Sequence, residues 1–132
     1  MSVAQDTAVT KQNQAALRCI IEEGFNKGNY AALDALFAAN YKEHQFGLKT
    51  TLEGFKEDIQ YLRTGFPDLH LTIDDMIASE DTVWVRMTAS GTHSGRFMGP
   101  PTGRLISLTF MDVYRFKQGQ GVSNWCGPVR VA

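Results

Sequence analysis

The stretch "FPDLHLTIDDMIASEDTVWVRMTAS", Phe66 to Ser90, is where the spacing of apolar residues changes and with it the fold. Pro67 forbids a helix from continuing through it. Beyond the proline, Leu69, Leu71 and Ile73 alternate with His70, Thr72 and Asp74. After the turn at "SED", Val83, Val85, Met87 and Ala89 alternate with Trp84, Arg86, Thr88 and Ser90. Side chains two apart share a face of an extended chain, so both runs read as half-buried strands.

Upstream, the period is that of a helix. Leu52, Phe55, Ile59 and Leu62 recur at intervals of three and four, with Thr50 and Glu53 at capping-box spacing ahead of them and Gly65 as a C-terminal cap. Leu17, Ile20, Ile21 and Phe25 predict a first helix over residues 8 to 27, closed at Gly28 and preceded by a flexible N-terminal arm, residues 1 to 8. Asn29 suits the N-cap of a short second helix, whose stripe Leu33, Leu36, Phe37 is broken by "ANYKEH".

Downstream, "MGPPTG" marks a turn, a long strand runs from about Leu105 to Phe116, "KQGQG" marks another turn, and a last strand starts near Val122. Three N-terminal helices followed by an antiparallel meander make a single α+β domain over residues 1 to 132, with the helices covering one face of the sheet. The other face, carrying Trp84, Arg86, Thr88 and Ser90, is amphipathic, and a homodimer through it is expected.

Composition narrows the function. The chain has 132 residues, 43% hydrophobic and 20% charged, as an ordinary globular protein has. Thirteen basic and fourteen acidic residues give a net charge of −1 with no basic block, which disfavours a nucleic-acid partner. No signal-peptide core or membrane-length apolar run is present, so a cytoplasmic location and no membrane partner are expected. Cys19 and Cys126 form neither a disulfide framework nor a zinc-ligand spacing, and no metal is expected.

One residue breaks the pattern of the long strand. In "TFMDVYRF", Thr109 to Phe116, parity puts Asp112 on the face of Phe110, Tyr114 and Phe116. A carboxylate on an apolar face is costly unless paired, protonated or wetted. In an apolar pocket its pKa is expected above the ordinary value of about 3.9, which suits proton transfer near neutral pH. The competing reading is a structural ion pair, but Arg115 and Arg86 have the parity of the opposite face. On the last strand, Asn124 and Cys126 share a face opposite Trp125; Asn124 could donate to a carbonyl oxygen, and Cys126 reads as packing or a weak acid. Tyr41, Tyr61 and Tyr114 could lend hydroxyls, and with Phe55, Phe110 and Met87 they complete the expected lining of a pocket for a hydrophobic small molecule.

The pieces "FPDL", "VRMTASGTHSG", "FMGPPTGR" and "DVYRF" followed by a glycine turn and "W", with "GFNKGN" and "YKEH" in the first half, resemble the SnoaL-like family of polyketide cyclases, in the nuclear transport factor 2-like superfamily. The resemblance covers about residues 12 to 126. It implies a conical barrel, with a curved sheet around the helices and an apolar cavity between them, and no cofactor. It also implies a pocket acid/base that closes a ring by intramolecular aldol condensation. His44, which ends the second helix in "YKEHQ", matches a histidine that the family directs into its pocket. By an ungapped count from "YRF", Cys126 takes the place of the family's catalytic aspartate, and Asp112 that of a pocket histidine. Two functions stay open: an acid/base enzyme acting next to a carbonyl through Asp112 and His44, with Asn124 steadying the enolate, or a non-catalytic binding or dimeric accessory module.

Overall fold

The computed structural model describes the backbone of residues 7–44 and 51–128, and side chains over 7–41 and 51–123. Helix α1, Ala8–Cys19, opens on a reciprocal cap: the Thr7 hydroxyl accepts from the Thr10 N–H at 3.1 Å, and Thr10 Oγ1 accepts from the Thr7 N–H at 2.8 Å. It runs without a break into a wider π-helical stretch, Ile20–Asn26. Together they fill most of the helix predicted over 8 to 27; residues 1–6 of the expected arm lie outside the described residues. Leu17, Ile20 and Ile21 are buried on the shared inner stripe. At the end of the π-helical stretch Arg63 donates to the carbonyls of Phe25 and Asn26, at 2.8 and 3.0 Å, satisfying oxygens that have no partner within the helix.

Helix α2, Tyr30–Leu36, begins after Asn29 as expected, and α3, Leu52–Gly65, follows. The cap of α3 is Thr51, not Thr50: its hydroxyl accepts from the Gly54 N–H at 3.1 Å. Between α2 and α3 the chain departs from its sequence reading. "FAANYKEH" is a strand, β1, Phe37–His44, so His44 ends a strand instead of a helix. The later strands are β2, His70–Ser79; β3, Thr82–Thr92; β4, Leu105–Lys117; and β5, Gln120–Pro128.

The sheet order is β1-β5-β4-β3-β2. Strands β2 to β5 are the expected antiparallel meander, and β1 adds to it in parallel along β5. The expected sheet is thereby mixed, and its curl around the helices stops short of a closed barrel, with β1 and β2 as edges. Its inner face supplies Val83, Val85, Met87, Tyr114 and Phe116, all at most 2% exposed, and the helices supply Leu17, Leu33, Phe55 and Ile59 against it. A local bulge at Asp74 interrupts β2, since Ile73 pairs with Met87 and Asp75 with Arg86.

Two carboxylates hold loops to this sheet. Asp68 accepts from the Thr92 N–H at 2.7 Å and from its hydroxyl at 2.9 Å, which holds its pKa below the ordinary carboxylate value. Asp81 is lowered by the Arg115 guanidinium at 2.8 Å and by the Thr82 hydroxyl. A carboxylate with a depressed folded-state pKa stabilises the fold above its unfolded pKa and loses that contribution as pH falls through the folded-state value. Acid titration followed by circular dichroism is therefore expected to unfold Asp68→Asn less steeply with falling pH than the wild type, below about pH 4. Identical acid limbs would remove Asp68 as a contributor.

Candidate active site

Asp112 is 2% exposed and, among the described residues, is the one buried Asp, Glu, Lys, Arg or His. The strand ladder explains its position. Val85 of β3 and Cys126 of β5 stand directly opposite it, and residues opposite each other share a face. Met87 pairs with Phe110 and Val83 with Tyr114, so the carboxyl sits in a wall of Val83, Val85, Met87, Phe110 and Tyr114. Phe110 is half-buried and Tyr114 fully buried. The arginines lie where parity put them: Arg86 is exposed, and Arg115 makes its surface pair with Asp81.

The remaining predicted residues divide into three groups. Tyr41 and Phe55 are buried together in an aromatic cluster, with Phe37 4.4 Å from Tyr41 and 5.3 Å from Phe55, and Phe25 5.7 Å from Phe55. The cluster reaches the Asp112 face through the row Phe37, Gly121, Phe116. A Cβ on Gly121 would lie 2.9 Å from the Phe37 ring, so the glycine lets that ring cross β5.

Tyr61 is placed elsewhere. It is 47% exposed, because it stands off the Phe55, Ile59, Leu62 stripe of α3. Its hydroxyl accepts the Met98 N–H at 2.7 Å and its ring rests 4.7 Å from Phe97. With Phe66 stacked on His93 at 5.3 Å, it fastens the β3–β4 loop to the end of α3. The loop approaches so closely that a Cβ on Gly95 would lie 1.9 Å from the Thr64 carbonyl oxygen. These roles for Tyr61, His93 and Gly95 escaped the sequence reading, although the dense glycine and proline content of "GTHSGRFMGPPTG" was the available signal.

His44, Asn124 and Cys126 are described by backbone only; their side chains lie outside the described residues. Cys126 is the ladder partner of Asp112 and Asn124 that of Tyr114. His44 pairs with Trp125, in the row of Val113, and is one position off the rows that contain Asp112 and Tyr114. Its expected company with Asp112 is therefore not reproduced by register, because a strand in place of a helix resets the parity of "YKEH".

Among the described residues no group of three or more His, Cys, Asp or Glu side chains is gathered as a metal site would need. A separate open groove of about 410 Å³ runs between the π-helical stretch and edge strand β2, lined by Arg18, Ile21, Glu22, Asn26 and His70 through Ile73, and contains none of the predicted site residues.

Comparison with known proteins places this architecture. IdmH from Streptomyces antibioticus, a candidate polyketide cyclase, is 31% identical over 88% of this chain and 91% of its own, with a TM-score of 0.78. AclR from Streptomyces galilaeus, a candidate hydroxylase, superposes with a TM-score of 0.80 over 91% of this chain and 90% of its own, at 23% identity. A SnoaL-like protein from Jannaschia sp. CCS1 gives a TM-score of 0.84 over 95% of this chain and 90% of its own, at 18% identity, a likeness of fold alone. No curated protein matches the sequence at a significant level. The family model for SnoaL-like polyketide cyclases matches residues 15–128, nearly the whole domain, and the chain belongs to that family.

Proposed function

We propose that the protein is an acid/base enzyme that moves a proton next to a carbonyl of a hydrophobic small molecule, as in aldol ring closure or a related isomerisation or lyase step. The observation that carries this reading is the buried carboxyl of Asp112 in an apolar wall formed by neighbouring strands. Burying a carboxyl is costly, and binding an apolar ligand does not require one. A carboxyl held there can take the proton from the carbon next to the carbonyl as the enolate forms, then return it to the product oxygen or carbon. Asn124, the ladder partner of Tyr114, is assigned the donor to the enolate oxygen. The test is exchange of the α-protons of a small aromatic ketone, compared between the wild type and Asp112→Asn.

A second reading, a binding module without catalysis, is favoured by one observation: the position opposite Asp112 is Cys126, which by the resemblance takes the place of the family's catalytic aspartate. Full retention of ligand affinity with no proton exchange in the wild type would select it.

The same reading makes the active form a homodimer through the outer face of the sheet. That face leaves Ile77 56%, Met111 41% and Trp84 37% exposed, with Arg86 among them. Apolar groups of this size on one sheet face are typical of an interface. Trp84→Asp is expected to sediment as a monomer at concentrations where the wild type is a dimer, and Trp84→Phe to remain dimeric. A monomeric wild type would overturn the assignment. Among the described residues no helix is long and apolar enough to cross a membrane.

A further inference from the structure

Strand β2 is an edge of the sheet, and the backbone groups along its outer side face no neighbouring strand. At Leu71 a side chain stands in for one. Asn26, which ends the π-helical stretch, accepts the Leu71 N–H on Oδ1 at 2.7 Å and donates from Nδ2 to the Leu71 carbonyl at 3.1 Å. Those are the two bonds that a residue of an added strand would make at this place. The amide is steadied from behind: Glu22 Oε2 accepts from its Nδ2 at 3.2 Å, and Arg63 donates to the Asn26 carbonyl at 3.0 Å. Leu71, Thr72 and Ile73 pair in unbroken register with Ala89, Thr88 and Met87. Leu71 turns its backbone groups away from β3, and such groups alternate sides along a strand, so Ile73 turns its own the same way. The open groove of about 410 Å³ lies beside both residues, which gives another chain room to approach. Further along the strand approach is opposed by the bulge at Asp74 and by the exposed carboxylates of Asp74 and Asp75. The usable edge is therefore short. It is "LHLTI", Leu69 to Ile73, without proline, carboxylate, lysine or arginine.

We infer that Asn26 is a guard on this edge, and that the partner it keeps out is a second copy of this chain, added to β2 as an antiparallel strand. The segment is complementary to itself. About a two-fold axis through Thr72, Leu71 of one copy faces Ile73 of the other, and each such pair exchanges both of its backbone bonds. Every pair contains a Leu71, so the Asn26 amide, seated on Leu71 in each copy, removes them all. An unrelated strand has no such symmetry with "LHLTI", which is why the partner assigned is a second copy. The inference is independent of the acid/base reading of Asp112. Joined to the outer-face dimer it has a consequence, because two different two-fold contacts on one chain do not close on themselves. Released edges would let pairs of molecules grow into longer assemblies.

The test follows sedimentation and amide hydrogen exchange of the intact chain. Asn26→Ala, with near-UV circular dichroism like that of the wild type, is expected to form assemblies larger than those of the wild type. Asn26→Ala combined with Trp84→Asp is expected to stop at a dimer. If the wild type is a monomer, the outer-face reading fails by itself, and Asn26→Ala alone is then expected to give the dimer. In the wild type the Leu71 amide is expected to exchange as slowly as that of Thr72, which bonds within the ladder. In the double variant, diluted until monomeric, Leu71 is expected to exchange about tenfold faster, the loss of one backbone hydrogen bond. Ile73→Pro added to Asn26→Ala removes an N–H that the joint needs and is expected to restore the sedimentation of the wild type. Sedimentation of Asn26→Ala equal to that of the wild type at every concentration would overturn the guard. So would assemblies that persist with Ile73→Pro, which would put the contact elsewhere. Fast exchange at Leu71 in the wild type would overturn it too, whether or not any variant folds.

Discussion

Asp112→Asn is expected to lower α-proton exchange on a small aromatic ketone by about 10²- to 10⁴-fold, the usual contribution of a positioned acid or base. Asparagine has nearly the same shape and keeps a polar end in the same wall, between Val85 on β3 and the Cys126 position on β5. It cannot ionise. The fold is therefore expected to survive, with near-UV circular dichroism like that of the wild type. Unchanged exchange would take Asp112 out of the mechanism, and loss of exchange together with loss of near-UV circular dichroism would make its role structural.

The largest effect on stability is expected at Phe55. The ring is 3% exposed and meets Phe25 at 5.7 Å, Phe37 at 5.3 Å and Tyr41 at 5.8 Å, the first two edge-to-face and the third tilted. These partners come from the π-helical stretch and β1, so a single side chain of α3 ties together elements far apart in sequence. Phe55→Ala is expected to cost about 3–5 kcal/mol, the range for emptying a buried aromatic position. That is a large part of the stability of a small domain, and the urea midpoint should fall steeply with little change in slope. Phe55→Leu is expected to recover much of the loss. A cost below about 1 kcal/mol for the alanine variant would show that the cluster collapses around the gap.

What could be read from the residues was local. The stripe Leu52, Phe55, Ile59, Leu62 and the alternation of Val83, Val85, Met87 are periods of one element, and each element formed as read. Asp112 was legible for the same reason, since parity alone decides the face of a strand. Strand β1 was not. Leu33, Leu36 and Phe37 extend a helical stripe, and what makes "FAANYKEH" extended is parallel pairing with β5, more than eighty residues away. The widening of the first helix was equally hidden: it accompanies close packing at Gly24, where a Cβ would lie 3.0 Å from Leu33. Tyr61 was misplaced because a tyrosine on a helix next to an apolar stripe looks like a pocket hydroxyl, and only the fold of the β3–β4 loop shows what the hydroxyl holds.

The affinity of para-ethylphenol as a function of pH, in the wild type and in Asp112→Asn, tests most directly whether the inward carboxyl governs the site. An ionised carboxyl accepts the phenol O–H, so wild-type affinity is expected to fall as acidification protonates Asp112, while the asparagine variant gives a flat profile. Superimposable profiles for the two proteins would contradict it.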